Sequence, residues 1–148
     1  MRLVVLESPF AGATPEDREA NITYARRCLR DCLLRGEAPI ASHLLYTQPG
    51  VFDDDVPAER EKGILAGFAW GEKAEAVVVY VDRGISGGMR MGIERAGRAN
   101  QTIEFRSLET AEIHVVKPSV CVPELGGRRC ATHPPLPLYP DGICAEGR

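Results

Sequence analysis

The run "AVVVYV", residues 76–81, constrains the fold more than any other stretch of this chain. Six consecutive apolar residues, four of them valine, suit a strand covered on both faces, and such strands lie inside parallel sheets flanked by helices. The surrounding segments fit that setting. Upstream, "LVVL" at 3–6 runs into "ESPFAG", a strand followed by a turn. A helix is expected next: Thr14 caps it, Pro15 suits its first position, Glu16 and Asp17 complement the dipole, and Gly36 stops it. "APIASHLLYTQ" at 38–48 reads as a second strand. "DDDVPAEREKGILAGFAWGEKA" at 53–74 reads as an amphipathic helix with capping acids and with Ile64, Leu65, Phe68 and Ala69 on its buried face. Residues 87–99 give a third helix with Met89, Ile93 and Ala96 inward. "TIEFRSL" follows as a fourth strand, and "AEIHVV" as a short last one.

The order β-α-β-α-β-α-β with right-handed crossovers predicts a three-layer, Rossmann-like (flavodoxin-like) α/β domain with an open parallel sheet. Its length fits one domain, placed at 1–116. Beyond it, 117–148 holds six of the eleven prolines and no hydrophobic period, which reads as an irregular tail. A net charge of −3 without a basic cluster excludes a protein that coats a nucleic-acid polymer, while leaving a free nucleotide as a ligand. The apolar runs are strand-sized, so a soluble, cytoplasmic protein with no membrane partner is expected. Arginine outnumbers lysine fifteen to three, which fits a GC-rich bacterial or phage genome. Cys28 and Cys32, one helical turn apart beside Ala25, Leu29 and Leu33, read as small buried hydrophobes.

In such a sheet the carboxyl ends of the strands share one rim, where open α/β sheets bind ligands. That rim is expected to carry Glu7, Ser8, Pro9 and Phe10, then His43 and Tyr46, then Asp82 through Met89. The turn "ISGGM" offers Ser86, Gly87, Gly88 and Met89 at a helix N-terminus, where free backbone N–H groups face an anionic or sugar-bearing ligand. His43 is placed to contact a base or phosphate, and Tyr46 and Phe10 to stack on a base, although core packing explains the aromatics equally well.

The strand ending in "SPF", the strand running into "HLLY", the stretch "AVVVYVD" and the pattern S-x-G-M-x-x-G-I-E-x-A at 86–96 together resemble the nucleoside 2-deoxyribosyltransferase-like group. That group and its uncharacterised relatives belong to the small Rossmann-like nucleotide binders akin to SLOG and TIR-type folds, and the resemblance spans roughly residues 1–109. It implies cleavage or transfer of the N-glycosidic bond of a nucleoside or nucleotide by a glutamate one turn into the helix after the glycine turn, commonly Gly-x-x-x-Glu-x-Gly-x-Ala. The register here departs from that pattern. Counting from Gly88, Gly92 holds the glutamate position, and Glu94 comes two residues later, about 200° around the helix.

Three carboxylates are therefore catalytic candidates: Glu94, Asp82 and Glu7. Glu94 could equally pair with Arg90 and Arg98 on a solvated face, Asp82 could hold a sugar hydroxyl or simply finish a turn, and Glu7 could be a contact of the turn near Gly12. The competing function is a non-catalytic nucleotide-binding module, a sensor or sequestering protein. A homo-oligomer is compatible with either, because sites in this group are sometimes completed by a neighbouring subunit. No cofactor is required by the main domain. In the tail, Cys121, Cys130, His133 and Cys144 could hold a structural zinc, the alternative being a loosely ordered segment.

Overall fold

The computed structural model describes residues 1–117. The proposed zinc ligands Cys121, Cys130, His133 and Cys144 lie outside the described residues, as does the tail from residue 118 on. The elements run β1 (Arg2–Glu7), α1 (Pro15–Leu34), β2 (Glu37–Ile40), α2 (Ser42–Leu45), α3 (Pro57–Gly71), β3 (Ala76–Tyr80), α4 (Gly87–Arg98), β4 (Thr102–Arg106) and β5 (Ile113–Val116). One sheet contains all five strands in the order β2-β1-β3-β4-β5. The first four are parallel, as a flavodoxin-like chain requires, and β5 returns antiparallel along β4, with Phe105 opposite His114. The last strand, whose direction the sequence reading left open, is the one antiparallel member of the sheet among the described residues. Only Ser107–Glu112 join it to β4, too few residues for a crossover, so the chain reverses in place.

β3 is the central strand that its composition predicts, with all five residues buried. Val4, Leu6, Val78 and Tyr80 face α1, which contributes Tyr24, Cys28 and Cys32. Val5, Val77 and Val79 face α4, which contributes Met89 and Ala96. The two cysteines are fully buried free thiols, whereas Leu33, grouped with them by sequence, is exposed. Helix α1 begins as read: Thr14 and Asp17 form a reciprocal capping box behind Pro15. It ends at Gly36, whose φ of +76° is a left-handed value that glycine adopts without strain.

Two local readings change. "SHLLY" does not continue β2; Leu44 and Leu45 both donate to the Ala41 carbonyl and close the helical turn α2. Ser42 then lies against α3, where an added Cβ on Gly67 would stand 2.7 Å from the Ser42 hydroxyl. The acids at 53–55 are not helix caps either. Val56 holds the cap position of α3 without a side-chain bond. Asp55 instead accepts from Arg18 on α1, and Asp54 pairs with Arg60 on α3, so the acids tie the loop to two helices.

Candidate functional site

A cavity of ≈ 390 Å³ opens at the carboxyl end of β1, between α2, α3 and the start of α4. Its position follows from the strand order. β1 connects through α1 to β2 on one side while β3 lies on the other, so the crossovers diverge there and leave a crevice. Glu7, Ser8 and Phe10 reach it from β1 and the following turn, His43 and Tyr46 from α2 and its end, and Ser86, Gly87, Gly88 and Met89 from the glycine turn. Nine of the expected rim residues therefore meet in one place. Pro9 is buried beside them without lining the cavity.

Glu7 is the unusual member of the lining. Its side chain is only partly exposed, and among the described residues no hydrogen bond or ion pair engages the carboxylate. Burial pushes its pKa up from 4.5 to about 8, against the opposing positive charge of Arg95. No buried side-chain oxygen is left without a partner among the described residues, so the unpaired carboxylate oxygens open onto the cavity. The carboxylate rests over Gly92 of α4, whose missing side chain leaves it room: a Cβ there would lie 2.8 Å from Glu7 Cδ.

His43 stands beside it. Its Nε2 lies 2.9 Å from Ser8 Oγ, and burial lowers its pKa to about 4, so the imidazole is neutral over the physiological range. Phe10 meets its ring edge-on at 6.2 Å, with the Arg18 guanidinium on the other ring contact at 5.8 Å. Tyr46 is held by the Trp70 indole, which donates to its hydroxyl at 2.9 Å. At the glycine turn, Ser86 accepts from the Met89 backbone N–H and starts α4, so this helix end faces the cavity.

The other two carboxylates are elsewhere. Asp82 turns away from the lining and ties the end of β3 to the loop after β4. It accepts from Tyr24 Oη at 2.6 Å, from the Ser107 hydroxyl and from the Leu108 backbone N–H at 2.9 Å. Although burial pushes it upward, the bonds from Ser107 and Tyr24 outweigh this and hold its pKa below the usual aspartate value. Glu94 is exposed on the outer face of α4, outside the lining, and makes no ion pair with Arg90 or Arg98 among the described residues. Of the three candidates only Glu7 therefore lines the cavity, with Ser86 and the glycine turn beside it and Asp54, Glu59 and Arg60 on the far wall.

The sequence reading missed the wall contributed by α3 and the loop before it. Phe52, Arg60, Gly63, Ile64 and Phe68 line the cavity. The available signal was Gly63, Gly67 and Gly71, spaced four apart along one helix face, which keeps that wall thin. Among the described residues no group of three or more His, Cys, Asp or Glu side chains is placed to hold a metal ion.

Comparison with solved structures finds the same fold in a 2-deoxyribosyltransferase from the psychrotolerant bacterium Bacillus psychrosaccharolyticus. The TM-score is 0.51 and the identity 16%, over 71% of this chain and 72% of that one. At such identity the likeness is one of fold. No curated protein matches the chain. A family described as a domain of unknown function, DUF7768, matches residues 2–106, from the first residue of β1 to the last of β4. Those residues contain the whole cavity lining, and the chain belongs to that family.

Proposed function

We propose that the cavity binds a nucleoside or nucleotide and that the chain cleaves or transfers its N-glycosidic bond, with Glu7 as the carboxylate at the anomeric carbon. The observation that carries this reading is an unpaired, partly buried carboxylate opening into a cavity of ≈ 390 Å³. That volume lies within the range of small-molecule sites, and the aromatic rings of Phe10, Tyr46, Phe52 and Phe68 offer faces for a base. Ser8, His43 and the N-terminus of α4 with Ser86, Gly87, Gly88 and Met89 supply polar groups for the sugar or a phosphate. The shared fold with a 2-deoxyribosyltransferase supports the reaction class.

In this reaction the carbon–nitrogen bond breaks with its electron pair leaving on the base, which takes up a proton. Ionised Glu7 bonds to the anomeric carbon or stabilises the oxocarbenium-like sugar until water or a second base adds. The ionised form is the active one, so base release should rise with pH through about 8.

The test is release of free base from a panel of nucleosides and nucleoside monophosphates, with binding followed by thermal shift. Glu7→Gln is expected to lower release by roughly 10²-fold or more while leaving binding in place. The positions of Asp82 and Glu94 outside the cavity favour one second reading, a binding module without catalysis. Wild-type protein that binds these ligands and releases no base over long incubation would establish that reading instead.

A further inference from the structure

Helix α4 contains a glycine that its backbone does not need. Gly92 is buried in the middle of the helix and has no left-handed φ, and at such a position glycine costs up to about 1 kcal/mol relative to alanine. Gly97, further along the same helix, has open space around it and could accept a side chain. Gly92 could not. An added Cβ would fall against the Glu7 carboxylate, 2.8 Å from Cδ and nearer still to Oε1. A parallel arrangement holds the nearest countercharge: the Arg95 guanidinium lies over Gly71 of α3, with Cζ 2.7 Å from where a Cβ would stand, and donates to Gln101 Oε1 at 3.2 Å. The same guanidinium lies over the Phe68 ring, 5.5 Å from its centre.

We propose that Gly92 is a positioning residue: its bare Cα is the seat on which the Glu7 carboxylate rests, so that α4 directs the strand-borne carboxylate into the cavity. Glu7 leaves the last position of β1, and without this seat its side chain would have to take another rotamer. Packing alone aims it, since no hydrogen bond among the described residues does. The inference rests on the nucleoside-cleaving reading only for the part of its test that uses activity.

The first arm is a stability cycle that needs no ligand. With Glu7 present, Gly92→Ala introduces the collision and is expected to lower Tm. In a Glu7→Ala background the carboxylate collision is gone, the same substitution gains helix propensity, and it is expected to raise Tm, by about 3 °C. Shifts of the same sign in both backgrounds overturn the proposal.

The second arm reads the carboxylate itself by 13C NMR titration, with Glu7→Gln identifying its resonance. The charged and titratable groups around it are Arg95 on α4, neutral His43 on α2, and Asp54, Glu59 and Arg60 on the far wall. Displacement from the seat toward solvent in Gly92→Ala is expected to lower the midpoint from about 8 by a pH unit or more. The pH midpoint of base release should move with it. A midpoint unchanged from wild type overturns the proposal, because a merely structural glycine would leave it in place. If wild-type protein neither binds nor cleaves any nucleoside, the reaction reading falls, while the stability cycle and the NMR midpoint still decide the seat.

Discussion

At the residue scale, Glu7 and His43 lie in one cavity and have pKa values displaced in opposite directions by the same cause, loss of water. The consequences for stability have opposite signs. Folded Glu7 holds its proton up to about 8 while the unfolded chain releases it near 4.5, so its contribution is complete below 4.5 and is lost as pH rises toward 8. Folded His43 resists a proton down to about 4 while the unfolded chain takes one near 6.5, so stability falls as pH drops through that interval. Urea denaturation across pH 4–9 should show Glu7→Gln flattening the alkaline decline and His43→Gln the acid one. An alkaline decline that persists unaltered in Glu7→Gln would contradict the burial of that carboxylate. Both residues were legible as rim residues from their places after strands, although His43 arrives on a helical turn. The displacement was not legible, because it depends on what α3 and α4 bring over the site.

At the element scale, α3 shows what a helical period leaves open. The apolar residues Ile64, Leu65, Phe68 and Ala69 predict one buried face, yet Leu65 is 57% exposed and Trp70 53%. The face turned inward carries Gly67 and Gly71, the buried residues of this helix, together with Gly63, Ile64 and Phe68. Glycine carries little weight in a hydrophobic pattern, and close approach to α2 is what makes it the inward residue. Gly67→Ala would bring a Cβ to 2.7 Å from Ser42 Oγ and 2.9 Å from Ser42 Cβ. It is expected to destabilise by roughly 1–3 kcal/mol through overpacking, despite alanine's better helix propensity. Gly97→Ala, with nothing within 4 Å, is the control and should be neutral or stabilising by up to about 1 kcal/mol. Equal effects of the two substitutions in urea denaturation would remove the close-packing account.

At the scale of the whole molecule, one buried charge cluster joins strands that are not neighbours in the sheet. Arg106 on β4, 2% exposed, donates to both oxygens of Glu37 on β2, with bonds of 2.7 Å, and to Glu104 at 2.6 Å. Arg2 on β1 completes the group, 2.6 Å from Glu104. Removing the guanidinium leaves two buried carboxylates sharing Arg2, so Arg106→Met is expected to cost roughly 3 kcal/mol or more in denaturant unfolding. A cost below about 1 kcal/mol would mean that water reaches the cluster. In the sequence, "TIEFR" alternates apolar and charged residues, the signature of a strand with one wet face. The alternation does separate Ile103 and Phe105, which pack toward α4, from Glu104 and Arg106. Yet Glu104 and Arg106 are buried too. The sequence by itself determined the order of the strands and of the three long helices, the buried centre at 76–81 and the rim on which Glu7, Ser86 and the glycine turn would gather, because apolar periodicity, caps and crossover handedness act locally. Tertiary structure alone decided that β5 runs antiparallel, that Asp82 is spent on a loop, that Glu7 rests on Gly92 and that Arg106 is buried with its acids. Each of these depends on a partner distant in the chain, and a local pattern sorts side chains onto faces without specifying what each face will meet.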